Sequence, residues 1–376
     1  MEKKLIKLSK SCIGQEEISA VNIVLKKSFL GMGDEVREFE NLLSKYFGRD
    51  VTCVNSGTAA LHLGLSACDI GPGDEVLVPS LTYLASFQAI SATGAKPVSC
   101  DVDSESLCLS VKDLEQKINK KSKAIMIVHY SGGVGNIDEI YKFAYKNKIR
   151  VIEDAAHAFG GKYKNKLIGS FGDIVCFSFD GIKNITSGEG GCVVTNDKKV
   201  SDRVKDMRLL GVQKDTDNRY QGKRSWEFEV KEQGWRYHMS NIMAAIGIAQ
   251  FNRKDELFNK RKNLAKQYDL LLKNIKKIKT LKNDYNEIVP HIYVIRINGL
   301  KNREDLRTEL RQNSIETGKH YLPNHYLDFY KDKNILPNTE KVWNELLTLP
   351  LHPELDEEDI KYICKVLIKI INKYKN

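Results

Sequence analysis

The sequence has no paired cysteines and no long hydrophobic run. Its eight cysteines stand singly, none in a CxxC pair, so neither a zinc site nor a thioredoxin-like motif is predicted. The longest apolar runs, residues 125–128 and 174–179, are far shorter than the roughly 20 residues that span a bilayer. The N-terminus lacks the apolar segment of a signal peptide. We therefore expect a cytoplasmic protein with no metal site and no membrane partner. Four cysteines in apolar runs are expected to be buried thiols: Cys53, Cys100, Cys176 and Cys192.

The net charge of +10 does not by itself indicate a nucleic-acid partner. A nucleic-acid surface would concentrate basic residues in a stripe with interleaved aromatic residues. Much of the lysine lies instead in residues 254–282 and 361–375, which have the pattern of amphipathic helices. Solvated helix faces explain these lysines better than a nucleic-acid surface, and an anionic small substrate would also suit a basic protein.

The central part of the chain alternates short apolar strands with helices. A chain of 376 residues is expected to form one large and one smaller domain. Buried apolar strands that alternate with helices are typical of a mostly parallel sheet covered on both faces. We predict seven strands, at residues 52–54, 75–78, 96–100, 124–129, 150–153, 173–178 and 191–195.

The predicted helices surround these strands, and the character of the chain changes near residue 254. We place helices at residues 16–29, 35–47, 58–68, 81–93, 137–147 and 239–251. Beyond them we expect a Lys-rich helix at 254–275, a strand at 288–297 and a final helix at 355–374. The boundary is drawn accordingly, with a large domain over residues 1–254 and a small C-terminal domain over residues 255–376.

The segment Asn55-Ser-Gly-Thr-Ala-Ala60 follows a predicted strand and opens a helix. Small residues allow backbone N–H groups to approach an anion, and the helix N-terminus adds a favourable dipole. The segment is neither a Walker loop nor a GxGxxG motif. A simple helix cap explains it equally well at this point.

Two further positions carry candidate chemistry. Asp154 stands where a strand ends, the place at which ligands bind in open α/β sheets, and it could keep a pyridine nitrogen protonated. A helix-capping aspartate is the alternative. Lys183 lies in a polar, Gly-rich turn between two strands, after Ser178, whose hydroxyl can donate to a phosphate. A lysine that reacts with a cofactor needs a confined site that lowers its pKa, whereas a single loop lysine is usually solvated.

The three features occur together, in the order expected of a pyridoxal-phosphate (PLP) enzyme. Six segments resemble the DegT/DnrJ/EryC1/StrS family of sugar aminotransferases, in that family's order and over about residues 10 to 365: NSGTAAL, GPGDEVLVPSLTYLAS, VIEDAAHAFG, GSFGDIVCFSFDGIKNITSGEGG, GWRYHMSNIMAAIG and LTLPLHPEL. The resemblance implies the type I aspartate-aminotransferase fold, an α/β class with a large domain around a mostly parallel seven-stranded sheet and a smaller C-terminal α+β domain. It also implies a homodimer with active sites at the subunit interface.

The resemblance assigns roles to residues of this chain. Lys183 matches the catalytic lysine that binds PLP covalently, and Asp154 matches the partner of the pyridine nitrogen. Gly57, Thr58 and Ser178 match positions that bind the cofactor phosphate.

Four other positions are singled out, two of them with alternatives. Tyr83 matches the aromatic residue that stacks on the cofactor ring, with an ordinary core tyrosine as the alternative. His157 stands where the family often has Gln beside the ring oxygen, and a structural histidine is equally compatible. His238 matches a position that reaches the phosphate from the other subunit. Its segment also carries Trp235, Tyr237 and Met239, which are expected at the subunit interface, and an intramolecular core helix explains the apolar run 239–251 equally well. Asp180 departs from the His of many relatives.

By this resemblance the protein is an enzyme that moves an amino group from glutamate to a nucleotide-linked keto-sugar. We favour a dTDP-4-keto-6-deoxyhexose, converted to a 4-amino-4,6-dideoxy sugar for a surface polysaccharide such as O-antigen. The alternatives are a GDP- or UDP-linked substrate, amination at C3, or a catalytically silent regulator with the same fold. Substrate contacts are expected in the loops at residues 213–224 and 317–325.

Overall fold

A seven-stranded sheet organises the larger part of the chain in the computed structural model, which describes residues 5–299, 302–332 and 334–373. The strands are β1 Asp50–Val54, β2 Glu75–Pro79, β3 Lys96–Cys100, β4 Ser122–Val128, β5 Arg150–Asp154, β6 Lys162–Tyr163, β7 Lys166–Leu167, β8 Ile174–Ser178, β9 Gly191–Thr195, β10 Ile278–Thr280, β11 Tyr293–Ile297 and β12 Leu346–Leu349. The sheet order is β1-β9-β8-β5-β4-β2-β3. Strand β9 runs in the opposite direction to the other six strands of this sheet, so the predicted mostly parallel sheet is confirmed.

Thirteen α-helices accompany the strands in the described part of the chain. They are α1 Gln15–Lys27, α2 Asp34–Phe47, α3 Gly57–Ser66, α4 Leu84–Ala92, α5 Val111–Lys117, α6 Ile137–Asn147, α7 Lys198–Met207, α8 Asp215–Tyr220, α9 Asn241–Asn252, α10 Lys254–Leu272, α11 Arg303–Gln312, α12 Pro337–Glu345 and α13 Glu357–Lys373. Among the residues described, no helix is long and apolar enough to cross a membrane.

Strand β8 shows why the sheet is buried on both faces. All five of its residues are buried, and successive side chains point to opposite faces because a strand has a period of two. Val175 and Phe177 join the core beneath α2 and α9, whereas Ile174 and Cys176 join the core beneath α3 and α4. The four cysteines expected to be buried are buried free thiols: Cys53, Cys100, Cys176 and Cys192.

A second, antiparallel sheet has the order β10-β11-β12 and packs with α10, α11 and α13 around a separate core. The helix α10 contributes to both cores, with Leu257 and Phe258 in the first and Leu264 and Tyr268 in the second. The expected α/β fold with a smaller α+β part is thus present. The division after residue 254 stays a prediction.

Several element ends differ from the sequence predictions. The strand predicted at 288–297 begins only at Tyr293, because the residues before it form a loop that runs to the site described below. The last predicted helix is present as α13, and Tyr374 at its predicted end lies outside the described residues. Residues 215–220 of the predicted loop at 213–224 form α8 instead.

Candidate active site

The carboxyl ends of β5 and β8 and the N-terminus of α3 open into one cavity of about 410 Å³. This location is expected for a site in a parallel α/β sheet. Seven of the eight residues predicted for the site line it: Gly57, Thr58, Tyr83, Asp154, His157, Ser178 and Lys183. The eighth, His238, lies outside this cavity.

One end of the cavity is built to receive an anion. The Ser56 hydroxyl caps α3 by accepting a hydrogen bond from the Ala59 N–H at 3.0 Å. The first N–H groups of a helix have no partner within the helix, so Gly57 and Thr58 present theirs at its positive end. Ser178 accepts a bond from the Asp180 N–H at 3.3 Å, which leaves its own hydroxyl proton for another acceptor. The arrangement suits a phosphate.

Gly57 is required here by close packing. A Cβ built on Gly57 would lie 2.7 Å from the Cβ of Ser178, closer than real Cβ atoms approach. The absence of a side chain therefore lets the start of α3 touch the end of β8. The predicted anion cradle depends on this contact.

We expect Gly57→Ala to weaken cofactor binding about 10- to 100-fold, because overpacking costs about 1–3 kcal/mol and would push α3 away from Ser178. Titration of the apoprotein with PLP, followed by visible absorbance, measures the effect. Gly71→Ala is the matched control, since its new Cβ would meet its nearest atom at an ordinary 3.6 Å. Equal affinity in both variants would show that the Gly57 contact does not shape the phosphate site.

Asp154 ends β5 and is held by hydrogen bonds to both carboxylate oxygens. Ser86 Oγ donates to Oδ2 at 2.7 Å, and the Ala156 N–H donates to Oδ1 at 3.2 Å. Ser86 is itself 2.9 Å from the Thr82 hydroxyl. Asp154 is only 6% exposed, so these donors fix the orientation of a buried carboxylate at the cavity wall.

Lys183 lies half-buried at the base of the cavity. Burial lowers the pKa of its amine, the Asp180 and Asp154 carboxylates oppose that shift, and Arg261 adds to it. Its Nζ lies 3.3 Å from Nε2 of His291. The confined environment expected of a reactive lysine is therefore present.

His157 is buried beside Asp154, and its pKa lies well below the usual range because of burial and the nearby Lys183 amine. The ring is therefore neutral. Nδ1 accepts from the Ser131 N–H at 3.3 Å, which places the proton on Nε2, 3.0 Å from the Tyr321 hydroxyl. His157 therefore has the hydrogen bonds of a structural histidine and also lines the cavity.

Tyr83 lies at the mouth of the cavity and is 61% exposed. Its ring centroid is 5.5 Å from that of Tyr321, with the two planes inclined by 50°. The core-tyrosine interpretation is therefore wrong. Asp180, which differs from many relatives, lines the same cavity, where its Oδ1 accepts from the Ile182 N–H at 3.2 Å.

His238 pairs through its backbone with Val54 at the edge of the sheet. Burial and the nearby Arg236 lower the pKa of its ring to about 4, so it is neutral. Met239, expected at a subunit interface, is fully buried in this chain's own core. For Met239 the structure favours the alternative of an intramolecular core.

Four residues near Lys183 were missing from the sequence predictions: Arg261, His291, His320 and Tyr321. His320 and Tyr321 come from the loop at 317–325, which was expected to contact substrate but without named residues. The burial of Arg261 can be inferred from the sequence, because Arg261 shares one face of α10 with Phe258, Ala265 and Tyr268 at helical spacing. A positive charge on such a face calls for buried acceptors.

Comparison with known proteins matches the DegT/DnrJ/EryC1/StrS aminotransferase family over residues 11–368. The chain belongs to this family. Membership confirms the resemblance of the six segments, and the protein is a PLP-dependent sugar aminotransferase with the fold expected of one.

Two curated relatives and one solved structure illustrate the similarity. The GDP-perosamine synthase of Escherichia coli O157:H7 is 37% identical, covering 96% of this chain and 97% of its own. A spore coat polysaccharide biosynthesis protein of Bacillus subtilis is 33% identical, covering 96% and 95%. The PLP form of a putative sugar aminotransferase from Streptococcus pneumoniae superposes with a TM-score of 0.92, at 30% identity over 99% of this chain and 100% of its own.

The residues of the cavity fit this cofactor. Because Gly57 has no side chain, the start of α3 can lie against Ser178 and leave room for an anion at the helix end. Asp154 supplies a buried carboxylate. Lys183 supplies an amine whose pKa burial lowers. These are the chemical groups that PLP requires.

Proposed function

We propose that this enzyme transfers the amino group of glutamate to a nucleotide-linked 4-keto-6-deoxy sugar, with Lys183 as the lysine that carries PLP. The observation behind the proposal is one cavity that combines the Lys183 amine, the Asp154 carboxylate and the anion cradle at Gly57. A product destined for a surface polysaccharide is supported by the Bacillus relative named for spore coat polysaccharide synthesis. Eight free cysteines fit the reduced cytoplasm.

In this mechanism Gly57, Thr58 and Ser178 would bind the cofactor phosphate, and Tyr83 would pack on the ring. When bound, PLP would supply an electron-withdrawing ring for the transfer of the amino group. Asp154 would hold the pyridine nitrogen protonated.

The Lys183 amine acts as the base and then the acid of the reaction. Its Nζ would take the proton from the α-carbon of glutamate and pass it to the cofactor. In the second half-reaction it would take a proton back from the cofactor and deliver it to the sugar carbon that receives the nitrogen. The lowered pKa of Nζ favours the unprotonated amine needed for the first of these steps.

The substrate nucleotide has two leading candidates, GDP and dTDP. The expectation from the sequence is dTDP, whereas the relative named GDP-perosamine synthase, at 37% identity over nearly the whole chain, supports the GDP-linked alternative. GDP is therefore the first nucleotide to test, followed by dTDP and UDP.

The test is mass spectrometry of products from a panel of GDP-, dTDP- and UDP-linked keto-sugars with ¹⁵N-glutamate. We expect one nucleotide to give an aminated product that carries the label, and NMR of that product to place nitrogen at C4. The Lys183→Ala chain serves as the negative control. No labelled amino sugar from any substrate of the panel would refute the proposal, and nitrogen at C3 would refute its regiochemistry.

We also propose that the working enzyme is a homodimer in which His238 of each chain serves the neighbour's phosphate site. His238 lies outside its own cavity, and α1 leaves large apolar side chains exposed, among them Ile18 at 50% and Ile23 at 57%. Trp226 is 87% exposed and Phe228 58%. Such surfaces are typical of interfaces in soluble proteins.

Complementation tests this assembly. A Lys183→Ala chain and a His238→Ala chain, each impaired alone, are mixed after gentle unfolding and refolded together. In a mixed dimer one site would carry both lesions and the other neither, so activity should partly return. The control replaces the His238→Ala partner with a chain carrying both substitutions, which leaves no intact site. No recovery in proven heterodimers would mean that His238 does not act across subunits.

A further inference from the structure

Arg261 is a buried cation whose hydrogen bonds all go to backbone carbonyl groups. Its side chain is 2% exposed, although it comes from the Lys-rich helix α10. Nη2 donates to the carbonyl oxygens of Ile182 and Lys183 at 3.1 and 3.3 Å. Nη1 donates to those of His291 and Leu351 at 3.1 and 3.2 Å. One guanidinium therefore joins the Lys183 turn to two loops beside the second sheet.

The charge on Arg261 persists despite this burial. Burial lowers the pKa of the guanidinium to about 10, which still leaves it protonated at neutral pH. A buried charge is costly unless it is hydrogen-bonded, and the four carbonyl oxygens supply that compensation. The planar fork of arginine can reach all four, which a lysine ammonium with three donors cannot.

The same guanidinium anchors both residues whose side chains meet below the cavity. Arg261 holds the backbone of Lys183 and of His291, and the Lys183 Nζ lies 3.3 Å from His291 Nε2. Burial lowers the pKa of the His291 ring well below its usual range, and the nearby Lys183 amine lowers it further, so the ring is neutral. With the ring proton on Nδ1, Nε2 accepts the hydrogen bond that the amine donates.

We propose that Arg261 is a positioning residue that holds the free Lys183 amine against His291 whenever that amine is not bonded to the cofactor. This role of Arg261 rests on the proposed function of Lys183 as the lysine that carries PLP. It concerns the Lys183 side chain during the part of the reaction in which the amine is free. A four-carbon side chain released into an open cavity would sample many rotamers. Fixing its backbone and giving its amine one acceptor keeps it beside the reacting atoms.

The charged and titratable groups that face the Lys183 amine determine the pH response of this arrangement. They are Asp180, Asp154, Arg261, His157, His291 and His320. Asp180 and Asp154 raise the pKa of the amine, whereas Arg261 lowers it. Removing the Arg261 charge removes one of the effects that disfavour the ammonium, and loosening the turn admits water. Both changes raise the pH at which the amine loses its proton.

The test measures Lys183 in the full-length apoprotein, by reductive methylation over a range of pH with quantification of the Lys183 peptide. We expect Arg261→Gln to shift the labelling midpoint upward by about one pH unit, a perturbation of ordinary size in folded proteins. Arg49→Gln is the matched control. Arg49 is 7% exposed and also donates to four carbonyl oxygens, those of Gly169, Phe171, Gly172 and Asp173, but it lies outside the cavity.

A purely structural role away from the site would lower the stability of both variants and move neither midpoint. Loss of charge alone would move the midpoint of Arg261→Gln but not that of Arg261→Lys, which keeps the charge without the planar fork. A midpoint equal to wild type in either Arg261→Gln or Arg261→Lys would therefore overturn the proposal. If these variants do not fold, a crystal structure of the unaltered protein with pyridoxamine 5′-phosphate decides. The proposal expects Nζ within hydrogen-bond distance of His291 Nε2, and an amine directed elsewhere would overturn it. The labelling result does not require turnover, so failure of the proposed reaction would be seen separately.

Discussion

Lys183→Ala is expected to abolish transamination and the visible absorbance of the lysine-bound cofactor while leaving the fold intact. The side chain carries both the covalent attachment and the proton transfer, and positioned acid–base groups alone contribute up to about 10⁴-fold. We therefore expect the rate with glutamate to fall by at least about that factor. Stopped-flow absorbance of the purified protein measures the rate, and circular dichroism reports on the fold.

Two variants control this result. Lys183→Arg keeps a long cation in the site but cannot replace the covalent attachment, so it should be as inactive as Lys183→Ala. Lys146→Ala removes an exposed lysine at the end of α6 and should leave the rate unchanged. Near-normal turnover by Lys183→Ala without added amines would show that another residue is the cofactor lysine.

Asp154→Asn should still bind PLP but slow the half-reaction with glutamate by about 10²–10³-fold, the usual cost of removing one preorganised electrostatic partner. Asparagine keeps the shape of the side chain, yet a neutral amide does not hold the ring nitrogen protonated. Single-turnover kinetics with a saturating concentration of glutamate separate this chemical step from binding.

The neighbouring residue provides the matched control. Glu153 is also fully buried on β5, but its carboxylate pairs with His129 at 2.7 Å and accepts from the Tyr141 hydroxyl at 2.5 Å, away from the cavity. Glu153→Gln should lower stability and leave the single-turnover rate within a few-fold of wild type. A comparable slowing in both variants would assign the effect of Asp154→Asn to general disruption of the strand.

The central sheet was predictable because its strands are short, apolar and bounded by turn residues. Every one of the seven predicted strands is present, with ends that differ by at most two residues. In a parallel sheet the chemistry lies where strands end, so Asp154 and Ser178 could be placed from sequence as well. Their meeting with Gly57 follows from the sheet order, in which β8 lies between β5 and β9.

The supporting residues were not predictable in the same way. His291 lies 108 residues after Lys183 in the chain, and the two meet only because the loop before β11 folds back onto the Lys183 turn. Arg261 stands among lysines of α10, of which Lys260 and Lys266 are exposed as expected of a solvated helix face. Its place on the buried face of α10 could be inferred from helical spacing, but its four carbonyl acceptors could not.

The position of Tyr83 shows the limit of composition as a guide. An aromatic residue before an apolar helix is typical of a core position, yet Tyr83 precedes α4 in an extended conformation and points to the cavity mouth. Its exposure depends on the turn that joins β2 to α4, a local geometry that the residue type does not specify.

The central claim, that Lys183 carries PLP in this cavity, is tested most directly by borohydride reduction of the PLP-loaded protein. Reduction makes the link between cofactor and lysine permanent, and mass spectrometry of the digested protein locates it. We expect the phosphopyridoxyl group on the peptide that contains Lys183 and on no other lysine. A modified lysine elsewhere, with the Lys183 peptide unmodified, would contradict the assignment of the site and of the chemistry built on it.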